Sequence, residues 1–305
     1  MEEHVPVMLR EVLGILEYAV PSGKNTFFAD ATLGGGGHAK AILEKFPDIR
    51  IVGFDRDETA LAAAASRLSE FGTRFTAVHA KFGELGTRAA ALREEYGGYA
   101  IGVLFDFGIS NMQLSVPDRG FSFQEDGPLD MRMSPGEDIP MAADILRESG
   151  MAELAGIFRV FGEERNAFRI ARGITRAKEA GETPDTTMKL VAVIRRSLPA
   201  AIQRNMGGNP ARKIFQALRI AVNSELEEIR EGLEGALELT GEGGVIGAIS
   251  YHSLEDRLVK RTFLRWAAEG RGFVRTKRPV VPSDEETASN RKARSAKMRV
   301  FMVTQ

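Results

Sequence analysis

Three aspartates and a run of glycines stand at spacings that can grip a small ligand. Asp30 comes four residues before the first of four consecutive glycines, Gly34 to Gly37; His38 follows them directly, and Asp55 lies 21 residues beyond Gly34. Asp106 closes the fourth apolar run, "IGVLFDF". Glycines that leave a strand and open a helix put backbone N–H groups at a helix N-terminus, where no Cβ keeps a ligand at a distance. A flexible connector would show the same four glycines, so the acids have to narrow the choice.

At the end of the next apolar run, Asp55 can accept hydrogen bonds from both hydroxyls of a ribose, which suits either a nicotinamide cofactor or S-adenosylmethionine. Asp30, at the end of the run before the glycines, gives the order acid-x-Thr-x-Gly-x-Gly, with Thr32 in the third place. A carboxylate there attracts the ammonium and sulfonium of S-adenosylmethionine and repels a pyrophosphate. The structural alternatives are a turn-stabilising role for Asp30 and, for Asp55, a helix cap that Asp57 can supply instead. Asp106 is costly to bury unpaired and stands where open α/β sheets bind ligands, and Phe82 follows the third apolar run at the same edge. The four histidines, His4, His38, His79 and His252, show no metal-ligand spacing.

These residues need strands that end together. The candidates are "TFFADA" (26–31), "RIVGFD" (50–55), "RFTAVH" (74–79) and "IGVLFDF" (101–107), separated by stretches rich in Ala, Leu, Glu and Arg that favour helix. From 113 to about 215 the alternation stops and helical stretches follow one another, which predicts an insertion ending in the loop "IQRNMGGNPARK". One long helix is then predicted from Lys213 to Thr240, stopped by "GEGG", before the strand "VIGAIS" (245–250). A helix follows with Ser253 as its cap, and "GFVRTKR" and "AKMRVFMVT" predict a closing antiparallel pair at the sheet edge. Five strands in βα alternation, one interruption and two closing strands form the element order of a seven-stranded, mostly parallel methyltransferase-type sheet; a dinucleotide oxidoreductase would continue with further βα units.

The chain has 305 residues, 43% hydrophobic and 27% charged, with a formal net charge of -1. This is the composition of an ordinary globular protein of one large domain or two. The absence of cysteine excludes disulfides, thiolate zinc sites and cysteine nucleophiles and fits a cytoplasmic location. The N-terminus lacks the basic start and apolar core of a signal peptide, and no segment approaches a membrane span. Charge is unevenly placed: residues 271–299 carry nine Lys/Arg against three acids. That stretch is either a solvated tail or a patch that attracts phosphates.

Taken together, "HVPVMLREVL", "DATLGGGGH", "GFDRD", "DRGFSF", "DGPLDMRM", "FGEERNAFRIARGI", "FQALRIAVNSELEEI", "SYHSLEDRLVKRTF" and "NRKARSAKMRV" resemble, in that order and over nearly the whole chain, the bacterial small-subunit ribosomal RNA cytosine-N4 methyltransferases. The loop itself is similar to the methyltransferase pattern "DxGxGxG" with Thr32 for its first glycine. The resemblance implies an α/β, class I (Rossmann-like) methyltransferase core over 1–112 and 216–305, with an inserted all-helical substrate-recognition domain over 113–215. It implies S-adenosylmethionine as cofactor, held by Gly36, Gly37, His38, Asp55, Phe82, Asp106 and Gln113, no metal, and 16S rRNA or the small ribosomal subunit as partner. Asn111, Met112 and Ser115 depart from the Ser-Ser pair and "xQLD" usual in the family. The oligomeric state, monomer or homodimer, stays open.

The implied reaction methylates a decoding-region cytidine at its exocyclic N4, whose lone pair is delocalised, so alignment and a hydrogen-bond acceptor near the amine carry the rate. The "DPPY" and "SPPY" motifs of DNA amine methyltransferases are absent; "DFGIS" occupies their place. Asp106 or a carbonyl of residues 107–110 would accept from the amine, or Asp106 would hold the cofactor instead, and His252 is a second candidate wall. Two other readings compete: a non-catalytic rRNA-binding or assembly factor, and an NAD-dependent oxidoreductase.

Overall fold

The computed structural model describes residues 6–19, 27–205 and 209–304. His4, Thr26 at the start of the first expected strand, and positions 206–208 of the loop "IQRNMGGNPARK" lie outside the described residues. By its contacts the chain divides into two compact units, one formed by Met1–Gly108 with Leu226–Gln305 and the other by Ile109–Glu225.

The first unit is built on seven strands: β1 (Phe27–Asp30), β2 (Arg50–Asp55), β3 (Phe75–His79), β4 (Ala100–Asp106), β5 (Thr240–Ser250), β6 (Gly272–Val274) and β7 (Lys297–Val303). They lie in the order β3-β2-β1-β4-β5-β7-β6. Strands β1 to β5 run parallel, β7 is antiparallel to β5, and the three-residue β6 closes the edge antiparallel to β7. The inner strands are apolar almost throughout because both faces are covered. One face carries Phe27, Phe54, Phe105, Phe263 and Trp266, and the other carries Phe28, Ile42, Ile51, Leu104 and Ile249. Edge strand β3 is correspondingly half-exposed along its length.

The order of connection reverses between β1 and β4, which pair directly with Asp30 opposite Leu104. A reversal of this kind leaves a crevice at the carboxyl ends of the strands, the place where open α/β sheets bind ligands. Asp30, Asp55 and Asp106 are the last residues of β1, β2 and β4, so all three face that edge.

The second unit is helical. Asn111–Ser115, Ala142–Glu148, Met151–Val160, Ala167–Glu179, Thr187–Ser197, Ala200–Asn205 and Ala211–Asn223 are its α-helices among the described residues. Phe158, Ile170, Ile174, Leu190, Ile194, Ile214 and Leu218 form the core they share.

Three local expectations are corrected. The helix expected from 213 to 240 is two, Ala211–Asn223 and Glu225–Leu239, because Ser224 adopts a left-handed conformation at φ 51°. A non-glycine residue there costs about 1–2 kcal/mol and persists only where its surroundings over-determine it. Here they do: Asn223 donates to the carbonyls of Met131 and Arg219 and accepts from Met133 N–H, while Arg219 forks onto Glu225 at 2.8 Å through two nitrogens. The "GEGG" stop belongs to β5, whose pairing jumps from Ala100 with Thr240 to Gly102 with Val245, so the four residues between form a bulge. Finally, the cap of helix Ser253–Ala268 is His252, not Ser253: its Nδ1 accepts from Glu255 N–H at 3.4 Å while the Glu255 carboxylate reaches back to His252 N–H.

Candidate cofactor and active site

The glycine loop is held by backbone and side-chain groups at the ends of β2 and β4. Leu33 N–H donates to the Phe54 carbonyl at 2.8 Å, and Gly34 N–H donates to Asp55 Oδ2 at the same distance. Thr32 Oγ1 accepts from Asp106 N–H at 2.6 Å, so the threonine that replaces a glycine of the usual pattern ties β1 to β4. Gly36 caps helix Gly37–Lys45 at φ 75°, a conformation that any side chain would strain. A Cβ on Gly34 or Gly35 would meet nothing within 4 Å, so the space beside these two residues is open.

Asp30 is 1% exposed. Its Oδ1 accepts from Thr32 N–H at 3.2 Å, and its Oδ2 is buried with no hydrogen-bond partner among the described residues. Burial pushes its carboxyl up to about 6, against the pull of His38 and of the Thr32 N–H. A buried acceptor without a protein donor is completed by an ordered water or by a donor or cation on a ligand. Asp55 is half-buried, and burial raises it as well, opposed by the N–H groups of Asp57 and Gly34. The capping role considered for Asp55 falls to Asp57, which accepts from Thr59 N–H at 3.0 Å.

Asp106 is the most elaborately held of the three. Its Oδ1 accepts from the Tyr251 hydroxyl at 2.6 Å, and its Oδ2 lies 3.9 Å from His38 Nδ1. Burial raises its carboxyl too, with His38 and the Tyr251 hydroxyl opposing. Burial and the facing Asp106 carboxylate push the Tyr251 phenol strongly up, so it stays a proton donor across the physiological range. His38 is buried, with Nε2 2.9 Å from the Val7 carbonyl. A carbonyl only accepts, so Nε2 carries a hydrogen and Nδ1 is left for the Asp106 side.

Phe82 opens a short 3-10 helix after β3, its ring 5.8 Å from those of Phe105 and Phe107. It is half-buried, so one part packs on the core and another borders the strand edge. Gly37 sits against Pro6, where a Cβ would come within 2.7 Å of the ring. Gln113 lies in the helical unit, with Oε1 accepting from Ser110 N–H at 3.0 Å and Nε2 donating to the Met133 carbonyl at 3.2 Å. The structure therefore brings Gly36, Gly37, His38, Asp55, Phe82 and Asp106 to one unit and one strand edge, while Gln113 belongs to the other unit. His252, the second candidate wall, is engaged as a helix cap.

Sequence reasoning missed Tyr251 and the tie made by Thr32. Tyr251 is legible in principle: it follows β5 directly, β5 is the neighbour of β4, and Asp106 registers with Ile249. Only the register brings the phenol to the carboxylate, and register is not written in strand composition.

The donor set suits S-adenosylmethionine, because Asp30 offers an unmatched buried acceptor to a cation, Asp55 keeps an accessible edge for hydroxyls, and the loop is open at Gly34 and Gly35. Sheet order and site define the class: a Rossmann-like, S-adenosylmethionine-dependent methyltransferase. Residues 1–304 match the model of the MraW methylase family, and the chain belongs to that family. It is similar to the ribosomal RNA small subunit methyltransferase H of Carboxydothermus hydrogenoformans, 44% identical over 97% of this chain and 96% of that protein. The Beutenbergia cavernae protein of the same name is 44% identical over 93% of this chain and 82% of its own. That of Mycobacterium tuberculosis is 46% identical over 85% of this chain and 66% of its own. Among solved structures, a Streptococcus thermophilus rRNA methylase aligns over 100% of this chain and 99% of its own with a TM-score of 0.43 and 10% identity.

Proposed function

We propose that this enzyme, a methyltransferase acting on small-subunit ribosomal RNA, transfers the methyl group of S-adenosylmethionine to the exocyclic N4 of one cytidine in the decoding region of 16S rRNA. The observation that carries the methyl-transfer chemistry is the buried Asp30 Oδ2 without a donor among the described residues, flanked by Asp55 and Asp106 on the edge where the sheet order reverses. Three carboxylates at one edge repel a pyrophosphate and welcome a cation, which disfavours the nicotinamide alternative. When bound, S-adenosylmethionine supplies an electrophilic methyl group carried on a sulfonium.

The residues divide the remaining work. Asp30 attracts the positive charge, Asp55 accepts from ribose hydroxyls, Phe82 offers an apolar wall, and Gly36, Gly37 and His38 let the loop approach closely. Asp106, fixed by Thr32 and Tyr251, accepts from an N–H of the target amine, which localises the nitrogen lone pair and gives the departing proton somewhere to go. The base must leave its stack to reach such a site, and this is least costly in loop or single-stranded RNA. The helical unit would grip that RNA together with the basic C-terminal segment. Of the nine cations in 271–299, Arg299 is already committed to Asp256 at 2.7 Å, whereas Arg275, Lys277, Arg278, Arg291, Arg294 and Lys297 are exposed. No helix among the described residues is long and apolar enough to cross a membrane, and we place the protein in the cytoplasm with its RNA.

Labelled methyl groups from S-adenosylmethionine are expected to enter small-subunit RNA that lacks the modification, at a single cytidine. Absence of incorporation with both free 16S rRNA and assembled subunits would overturn the assignment. Charge reversal at Arg291 and Arg294 is expected to weaken RNA binding and to lower the slope of log affinity against log salt by about 1.5, at roughly 0.7 for each single-strand phosphate contact. An unchanged slope removes the tail from the interface.

A further inference from the structure

The helical unit carries a groove that the methyl-transfer site does not use. It lies between helices Ala167–Glu179 and Thr187–Ser197, has a volume of about 340 Å³, and is lined by Arg169, Arg172, Arg176 and Arg196. The two helices approach closely here because residue 173 is glycine: a Cβ at Gly173 would overlap the Ser197 side chain. The close approach sets Arg196 beside the three arginines of the other helix.

All four arginines are exposed, and among the described residues none of their guanidinium groups makes an ion pair or hydrogen bond. Three less exposed arginines elsewhere in the chain are matched to acids: Arg132 with Asp130 at 2.7 Å, Arg219 with Glu225 at 2.8 Å, and Arg299 with Asp256 at 2.7 Å. Arg176 and Arg196 lie in the last turns of their helices, where the helix dipole welcomes cations. That account fails for Arg169, which lies in the first turn of its helix, where the dipole disfavours a cation and where there is no acid. Arg169, Arg172 and Arg176 stand at i, i+3 and i+7 on one face, and like charges at such spacings repel. Unmatched repulsive arginines in a groove are stabilised by an anion from outside, and guanidinium forks fit phosphate bidentately. Glu182 also lines the groove, which would exclude a highly charged free anion more than a chain of singly charged phosphodiesters.

On the same helix, four residues before Arg172, Phe168 is 51% exposed. An exposed aromatic ring beside a row of arginines is the pairing that single-stranded nucleic acid uses, base on ring and backbone on cations. The three arginines extend over about 10 Å of helix axis at the usual rise, enough for successive phosphates rather than one. We infer that this groove is a second RNA-binding site, which tracks the phosphodiester backbone of a single-stranded segment with Arg169, Arg172, Arg176 and Arg196 and stacks a base on Phe168. The inference rests on the RNA substrate proposed above and extends it to a named surface of the helical unit.

The test uses the full chain with a single-stranded fragment of small-subunit RNA containing the acceptor cytidine. Arg169→Gln, Arg172→Gln and Arg176→Gln together are expected to weaken binding about tenfold or more near 0.1 M salt and to lower the log–log salt slope by about 2, at roughly 0.7 per contact. Cofactor affinity and the circular dichroism spectrum should not change. If the triple variant does not fold, Arg172→Gln alone should still lower the slope by about 0.7. Phe168→Leu should cost about tenfold in affinity with the slope intact, the signature of lost stacking. An unaltered slope in the arginine variants overturns the inference, as does saturation of the groove by inorganic phosphate that displaces RNA far better than chloride at equal ionic strength. The two readings fail separately. Methyl transfer with an unaltered slope removes the groove alone; arginine-dependent RNA binding without transfer to any cytidine removes the proposed reaction alone.

Discussion

Asp30→Asn is expected to weaken S-adenosylmethionine binding strongly while making the cofactor-free protein less sensitive to pH. The carboxyl is buried, is pushed up to about 6 from an ordinary value of 3.8, and has one oxygen without a donor among the described residues. A carboxyl raised on folding favours the folded state while it is protonated in both states, below the unfolded value of 3.8, and that contribution is lost as pH rises from there through about 6. Above that, ionised Asp30 costs the free protein up to about 3 kcal/mol. Asparagine removes the charge and keeps the acceptor for Thr32 N–H, although its new amide hydrogens have no partner and return about 1–3 kcal/mol of that gain. The reliable signature is thus the pH dependence: between pH 4 and 6.5, denaturation of the wild type should lose stability relative to the variant. Cofactor affinity should show the opposite trend. A cation binds the ionised carboxylate, so wild-type affinity should fall about tenfold per pH unit below 6, and the variant should bind at least about 100-fold more weakly at pH 7.5 with no such dependence. Calorimetric titration at several pH values measures both. Affinity within threefold of wild type, or an unchanged pH profile, would show that Asp30 does not face the cofactor.

The elements that position the site were largely legible in the sequence because apolar runs of Val, Ile and Phe bounded by Gly and Asp are the direct imprint of a parallel sheet covered on both faces. β2 begins and ends where its composition does, and Asp30, Asp55 and Asp106 close their strands as their places in the runs require. What was not legible depends on single backbone states or on partners far away in the chain. One left-handed residue, Ser224, divides a helix whose periodicity continues through it, and its cause lies in hydrogen bonds from Asn223 to the loop holding Met131 and Met133. The Tyr251 contact with Asp106 joins residues 145 apart, and the cap of helix Ser253–Ala268 passes to His252 because Glu255 reaches back to it. Composition gives the excess of positive charge in the tail but does not reveal that β7 carries Arg299 into a buried ion pair with Asp256. Residue types locate the chemistry; pairing register decides which of them meet.

Asp106→Asn is expected to lower methyl transfer at least about 100-fold, the scale of a lost general base or amine acceptor. Asparagine keeps an oxygen for the Tyr251 hydroxyl and leaves the Thr32 contact to the backbone N–H untouched, so the strand end should hold its shape. Two roles are then separable. If Asp106 faces the amine, turnover falls with cofactor affinity nearly unchanged; if it holds the cofactor, affinity falls and saturating cofactor restores much of the rate. Tyr251→Phe sharpens the distinction. The hydroxyl lowers the Asp106 carboxyl against a rise driven by burial, so its loss should move that carboxyl further up. When Asp106 must be ionised to accept a proton from the amine, the acidic limb of turnover shifts to higher pH, with a loss of roughly tenfold on that limb from one charge-assisted hydrogen bond. Rates for Tyr251→Phe that drop equally at every pH would make the tyrosine a packing residue. A wild-type rate together with wild-type affinity for Asp106→Asn would remove Asp106 from both roles and leave a carbonyl of residues 107–110 as the acceptor.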